Sequence, residues 1–172
     1  MSITIRKLGA DEARSSRDGL AALLADGVDG GASISFMWPF SQADAAAWWD
    51  GVVEEVAEGR VVLFVALDAE RIIGSVQLAY APQPNQPHRA DIRKLLVHRG
   101  ARRQGVGERL LLAVEQEARH TGRTLLVLDT VAGSDADRLY RRTGWVAAGT
   151  IPNYALWPDG RFCDATVFWK AL

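Results

Sequence analysis

The stretch best suited to chemistry runs from Leu95 to Leu112 and reads L-L-V-H-R-G-A-R-R-Q-G-V-G-E-R-L-L-L. An apolar run ends at Val97, a basic turn containing glycines follows, and an apolar-periodic segment begins at Gly105. A strand that leads through such a turn into a helix makes an anion site. The first N–H groups of that helix have no intrahelical acceptor and carry the positive end of its dipole. Gly105 and Gly107 let a bulky diphosphate approach the backbone without meeting a Cβ. Arg99, Arg102 and Arg103 add positive charge beside it. The segment therefore specifies a phosphorylated ligand. It is not a P-loop, because no Gly-Lys-Ser/Thr occurs. A dinucleotide-binding turn is the nearest rival, with Asp129 closing a later strand, but its third glycine position is filled by Leu110.

The elements that must hold this turn are legible from periodicity and breakers. Ile3 to Leu8 alternates as a short strand. A helix capped by Asp11 carries Leu20, Leu23 and Leu24 and stops at Gly27. An aromatic loop from Gly30 to Phe40 follows, then a helix opened by Ser41 and Asp44, which bears Trp48 and Trp49 on its apolar stripe and ends at Gly59. Arg60–Leu67 and Ile72–Ala81 form a hairpin, and a Pro-rich loop leads to a third strand over Ala90–Val97. The anion-site helix buries Val106, Leu110, Val114 and Ala118. Thr124–Asp129 is a buried strand, Ser134 to Arg142 a short capped helix, and Trp145–Tyr154 and Asp164–Leu172 the last strands. The order is β-α-α-β-β-β-α-β-α-β-β, a mixed α/β fold.

At 172 residues, 48% apolar, the chain suits one domain over residues 1–172. A net charge of −1 gives no basic footprint for nucleic acid. The single Cys163 fits a reducing compartment. Neither a signal peptide nor a membrane-spanning run is present, so the expectation is a soluble cytoplasmic protein with no membrane partner. Oligomeric state is left open.

The element order and two motifs resemble the GCN5-related N-acetyltransferase (GNAT) family. One is Arg102-Arg103-Gln104-Gly105-Val106-Gly107; the other is Ala136, Leu139-Tyr140 and Gly144-Trp145. Further blocks are similar to a branch of this family that inactivates the antimetabolite tabtoxin: Gly30-Gly31-Ala32-Ser33, Arg89-Ala90-Asp91, Lys94-Leu95, Ala101-Arg102, Leu128-Asp129-Thr130, Ala132-Gly133-Ser134 and Trp157-Pro158-Asp159-Gly160 through to the C-terminus. The resemblance implies the GNAT fold, with the fourth strand splayed at a bulge, and acetyl-CoA as the ligand, with no metal. Backbone amides from Arg102 to Gly107 would hold its pyrophosphate. The strand edge at Leu95, Leu96 and Val97 would pair with its pantetheine, and a backbone N–H near Leu96 or Val97 would polarise the thioester carbonyl. Which of Arg99, Arg102 and Arg103 meets the phosphates stays open.

Acetylating an amine requires a proton to leave the nucleophile and one to reach the departing thiolate. Tyr140 matches the family's tyrosine and is the expected acid; the plainer reading is a core tyrosine on an amphipathic helix. Asp91 and Asp129 are expected to draw the amine's proton through ordered water. Against that, Asp91 could hold Arg89 or Arg93, and Asp129 could cap a turn. Phe36, Met37, Trp38 and Tyr154 are expected to wall the acceptor, with simple packing as the alternative. The family's cofactor-touching Asn is replaced by Gly133. Cys163 has no partnered histidine, so direct transfer is expected. The acceptor is expected to be a small-molecule primary amine, with a tabtoxinine-like antimetabolite the named candidate. A protein N-terminus or lysine as acceptor, and a non-catalytic CoA sensor, are the alternatives.

Overall fold

The computed structural model describes residues 2–172. Its elements are β1 (Ile3–Leu8), α1 (Ala10–Ser15), α2 (Arg17–Asp29), α3 (Gln42–Ala57), β2 (Val61–Asp68), β3 (Arg71–Tyr80) and β4 (Arg89–Val97). After a single turn of 3₁₀ helix at Arg99–Ala101 come α4 (Val106–His120), β5 (Leu125–Val131), α5 (Asp135–Arg142), β6 (Val146–Leu156) and β7 (Phe162–Ala171). The first expected helix is thus two. Ser16 leaves helical geometry at φ −91°, ψ 5°, and the start lies at Gly9, whose N–H donates to the Glu12 carboxylate at 3.0 Å. The second piece runs past Gly27 to Asp29.

One seven-stranded sheet has the order β1-β2-β3-β4-β5-β7-β6. Every neighbouring pair is antiparallel except β4–β5. A dinucleotide-binding sheet is mostly parallel, so the rival reading fails on topology. β2 and β3 are buried on both faces, which is why they read as unbroken apolar runs. On one face α4 packs Val106, Leu110, Val114 and Ala118, all four fully buried as the spacing predicts. Leu110 uses room left by Gly74, where a Cβ would lie 3.0 Å from the Leu110 side chain. On the other face α2 and α3 bury Leu20, Leu24, Trp49 and Val53 against Leu63 and Val65.

The feature that matters for function is in β4. Ser75 pairs with Leu96 and Gln77 with Arg93, so Val76 alone faces both Lys94 and Leu95. This is a β-bulge, with Lys94 in the left-handed region at φ +49°. β4 parts from β5 already before the bulge: the two strands pair only over Arg89–Asp91 and Leu125–Val127. The expected splay and bulge are both present.

Candidate active site

The gap between β4 and β5 opens into a cleft of about 1270 Å³ that reaches from the α4 N-terminus to the loop after α2. At one end the turn before α4 is shaped by positive φ at Arg103 (+59°) and Gly105 (+77°). The first residues of α4 line the cleft beside Arg102 and Arg103. A Cβ at Gly107 would lie 3.0 Å from the Leu139 side chain, so glycine there keeps α4 close to α5. Val97, Arg102, Arg103, Gly105, Val106 and Gly107 all line this end; Gln104 does not, its side-chain amide donating to Gly100 O at 3.3 Å. Of the three arginines left open by sequence, Arg99 is committed elsewhere: its Nε and backbone N–H both donate to Asp26, at 2.8 and 2.9 Å. No ion pair engages Arg102 or Arg103 among the described residues.

Along the gap, Leu95, Leu96 and Val97 present their edge. His98 N–H donates to Ile73 O at 2.9 Å. Alternation along the strand therefore turns the Val97 backbone away from β3 and toward the gap. These features fit the residues to a pantetheine diphosphate: an unpaired strand edge, followed by helix N–H groups and two unpaired arginines.

Tyr140 lines the cleft from α5 while its ring packs against Trp145 and Phe168, with centroids 5.6 and 5.7 Å away. Only 4% of it is exposed. Burial, and then the Asp129 charge, push its hydroxyl well above the usual tyrosine range, so it is a donor at neutral pH. The short helix is fixed by Ser134, which accepts from Asp137 N–H at 3.1 Å, and by Asp137, which accepts from Gly133 N–H at 3.0 Å. Gly133 sits at φ +71°.

Asp129 faces the cleft from the end of β5. Its carboxyl is raised, chiefly by lost hydration; Asp91 raises it further and Lys94 opposes both. Asp91 pairs in register with Val127, so Asp91 and Asp129 stand on one face of the sheet. Asp91 itself is not part of the lining; it accepts from Arg89 at 2.5 Å.

The end of the cleft away from α4, where the sequence places the acceptor wall, is lined by Gly30–Ser35, by Trp48 and Glu55 of α3, by Arg93 and Lys94, and by Tyr154, Trp157 and Cys163. Phe36, Met37 and Trp38 are not among the lining residues. Phe36 lies behind it, stacked with Phe40 and edge-on to Trp48. Met37 and Trp38 are 43% and 48% exposed, and the Trp38 indole donates to Val28 O at 2.9 Å. Tyr154, expected at the end of its strand, lies inside β6, which continues to Leu156. Trp48, expected in the core beside Trp49, is only half-buried and walls the cleft; adjacent helical residues point about 100° apart, and Trp49 takes the buried position.

Lys94 stands in one of the blocks that carry the resemblance, but sequence reasoning gave it no role. Its Nζ donates to Ile34 O at 2.9 Å and Ser35 Oγ at 2.8 Å, and lies 5.4 and 5.5 Å from the Phe36 and Trp48 ring centres. Its ammonium is pulled down to about 8, first by burial, then by Arg93, with Asp129 opposing. The histidines stay out of the cleft. His98 accepts from Gly100 N–H at 3.0 Å, and His88 is exposed in the Pro-rich loop. Among the described residues no cluster of three or more His, Cys, Asp or Glu could hold a metal, and no helix is long and apolar enough to cross a membrane.

Comparison with known proteins agrees with this geometry. An uncharacterized N-acetyltransferase in the hisH-hisA intergenic region of Azospirillum brasilense is 34% identical over 106 residues, which span 60% of this chain and 61% of that protein. The fold is shared with a ribosomal-protein-alanine N-acetyltransferase from Brucella melitensis, with a TM-score of 0.80, 22% identity, and coverage of 98% of this chain and 99% of that one. It is also shared with yncA of Salmonella typhimurium, solved with its cofactor acetyl-CoA, with a TM-score of 0.80, 18% identity, and coverage of 100% and 95%. The model of the acetyltransferase (GNAT) family matches residues 29–145, which include the bulge, the anion turn and Tyr140. With that match over more than half its length, the chain belongs to the GNAT acetyltransferase family.

Proposed function

We propose that this protein moves acetyl from acetyl-CoA directly to a primary amine of a small molecule. The observation that carries the reading is the meeting of three things in one cleft: an unpaired β4 edge, the α4 N-terminus, and Tyr140 with Asp129 beyond them. Acetyl-CoA supplies an activated acyl group whose thiolate must be protonated as it leaves.

Arg102 to Gly107 hold the diphosphate through backbone N–H groups, and the Arg102 and Arg103 side chains neutralise it. Leu95–Val97 align the pantetheine as an added strand would, and the backbone N–H of Val97 is turned toward the place where carbonyl charge grows. Asp129 takes the amine's proton, directly or through water. Its raised carboxyl is better suited to this near neutral pH than an ordinary aspartate, and Asp91 contributes by keeping it raised. Tyr140 gives its proton to the thiolate. Cys163 is buried with its thiol 3.4 Å from Ser33 Oγ and no base beside it, which supports direct transfer over an acyl-cysteine. A free buried cysteine also fits the reducing cytoplasm, where we place the reaction.

For the acceptor, a tabtoxinine-like antimetabolite is the specific candidate. The Gly30–Ser33 and Trp157 positions that carried that resemblance line the acceptor end. The test is a pair of measurements. Acetyl-CoA, and not NAD, raises the melting temperature, and thiol is released steadily when tabtoxinine-β-lactam or another small amine is supplied. A shift with NAD alone overturns the transferase reading. Acetyl-CoA binding without turnover on any amine leaves a sensor.

A further inference from the structure

The charges at the acceptor end are unevenly matched. Arg93 is neutralised by Glu55 at 2.6 Å and held by Gln77 Oε1 at 3.2 Å. Asp91, outside the lining, is neutralised by Arg89. Away from the α4 end, two opposite charges facing the cleft have no ion-pair partner among the described residues: Lys94 on the β4 bulge and Asp129 near the end of β5. They feel each other electrostatically, yet make no direct ion pair across the space between them.

Lys94 is also held at structural cost. Both it and its hydrogen-bond partner Ser35 have positive φ, +49° and +85°, in residues with a Cβ. Such backbone is disfavoured in residues with a Cβ and persists where its surroundings impose it, often at ligand sites. The two contacts at Ile34 O and Ser35 Oγ use two of the three ammonium N–H groups, leaving one. The Phe36 and Trp48 rings stand about it and hold the side chain in place.

Resting on the acetyl-transfer reading above, we infer that Lys94 is the acid-recognising residue of the acceptor pocket, and that the acceptor is a small zwitterion whose amine lies a few bonds from a carboxylate. The amine is received at Asp129, where it gives up its proton, while the carboxylate meets the remaining N–H of Lys94. Each lone charge of the pocket is thereby matched by one of the ligand. A polyamine would set a second cation against Lys94, and a protein lysine side chain or N-terminus would leave Lys94 unmatched in a poorly hydrated site. Both carry the wrong charge pattern for this pocket.

The test uses amino acids paired with their own decarboxylated amines, such as 2,4-diaminobutyrate against 1,3-diaminopropane, in a thiol-release assay with saturating acetyl-CoA. The wild-type protein is expected to favour the acid-bearing member by about tenfold or more in kcat/KM, the value of one charge-assisted hydrogen bond. Lys94→Met is expected to erase that preference through KM of the acid-bearing member. Lys94→Arg, which keeps a cation at the site, is expected to retain part of it. A melting-temperature shift with acetyl-CoA in each variant shows that the fold and donor end are intact. Turnover of both members with no preference in the wild type, or a preference that survives Lys94→Met, overturns the inference and leaves the acetyl-transfer reading standing. Failure of every amine to release thiol overturns that reading and takes this inference with it.

Discussion

The proposed donor end of the cleft is built mostly from backbone, and from one continuous stretch running from the β4 edge through the basic turn into α4. The proposed acceptor end is built from side chains delivered by at least five segments: the loop after α2, α3, the β4 bulge, β5 and the β6–β7 region. A backbone site depends on conformation, so few substitutions are tolerated at its glycines and many at its neighbours. A side-chain site can be rewritten one residue at a time without disturbing the sheet. The same scaffold can therefore keep its donor while changing its acceptor.

Variants can break or sharpen this contrast. The largest effect is expected at the chemistry between the two ends. Tyr140→Phe should lower kcat on the order of 10²-fold with little change in KM for acetyl-CoA, measured by thiol release. Because Tyr140 is pushed above its usual range, the wild-type rate should also show no basic limb from it below pH 10. Next, Asp129→Asn should lower kcat/KM by about 10- to 100-fold and remove the acid limb of the pH profile. In the wild type that limb should fall at a pH above the ordinary carboxylate range, since burial raises Asp129.

At the donor end, replacing both Arg102 and Arg103 with Ala should raise KM for acetyl-CoA by about tenfold, and the gap should narrow as salt is added. An equal effect on acceptor KM would erase the division between the two ends. The smallest effect concerns stability. Lys94 is depressed when folded, so its buried charge weighs against the fold below about pH 8. That penalty fades as the pH rises toward the unfolded value near ~10.4. Lys94→Met should therefore have its most favourable melting temperature, relative to wild type, near pH 7, by a few degrees, with the advantage shrinking as pH passes 8. A constant difference across that range would mean the ammonium is well solvated.

How much could be read in advance follows the same division. The anion turn, the α4 burial pattern and the Ser134 cap are local and contiguous, so residue order alone exposes them. Lys94 was given no role because its position in the cleft comes from a one-residue bulge. Periodicity treats β4 as regular and cannot say which residue is extra. Trp48 was misplaced for a related reason: a helical stripe marks a face and not its edge, and two adjacent tryptophans cannot both occupy its centre. Arg99 carried the right charge in the right turn, yet Asp26, 73 positions earlier, had already claimed it. Phe36, Met37 and Trp38 were singled out as the large apolar residues of a loop that the resemblance made a wall, while the stretch just before them lines the cleft.

The short pairing of β4 with β5 has a mechanical consequence. Three register pairs join a four-stranded plate to a three-stranded one, and past that seam no β4–β5 pairing bridges them. A ligand arm laid along Leu95–Val97 acts as a splint across the open part of the joint. Donor binding is then expected to stiffen the molecule as well as fill it, so that the acceptor meets a frame whose two plates have already been locked at a fixed angle.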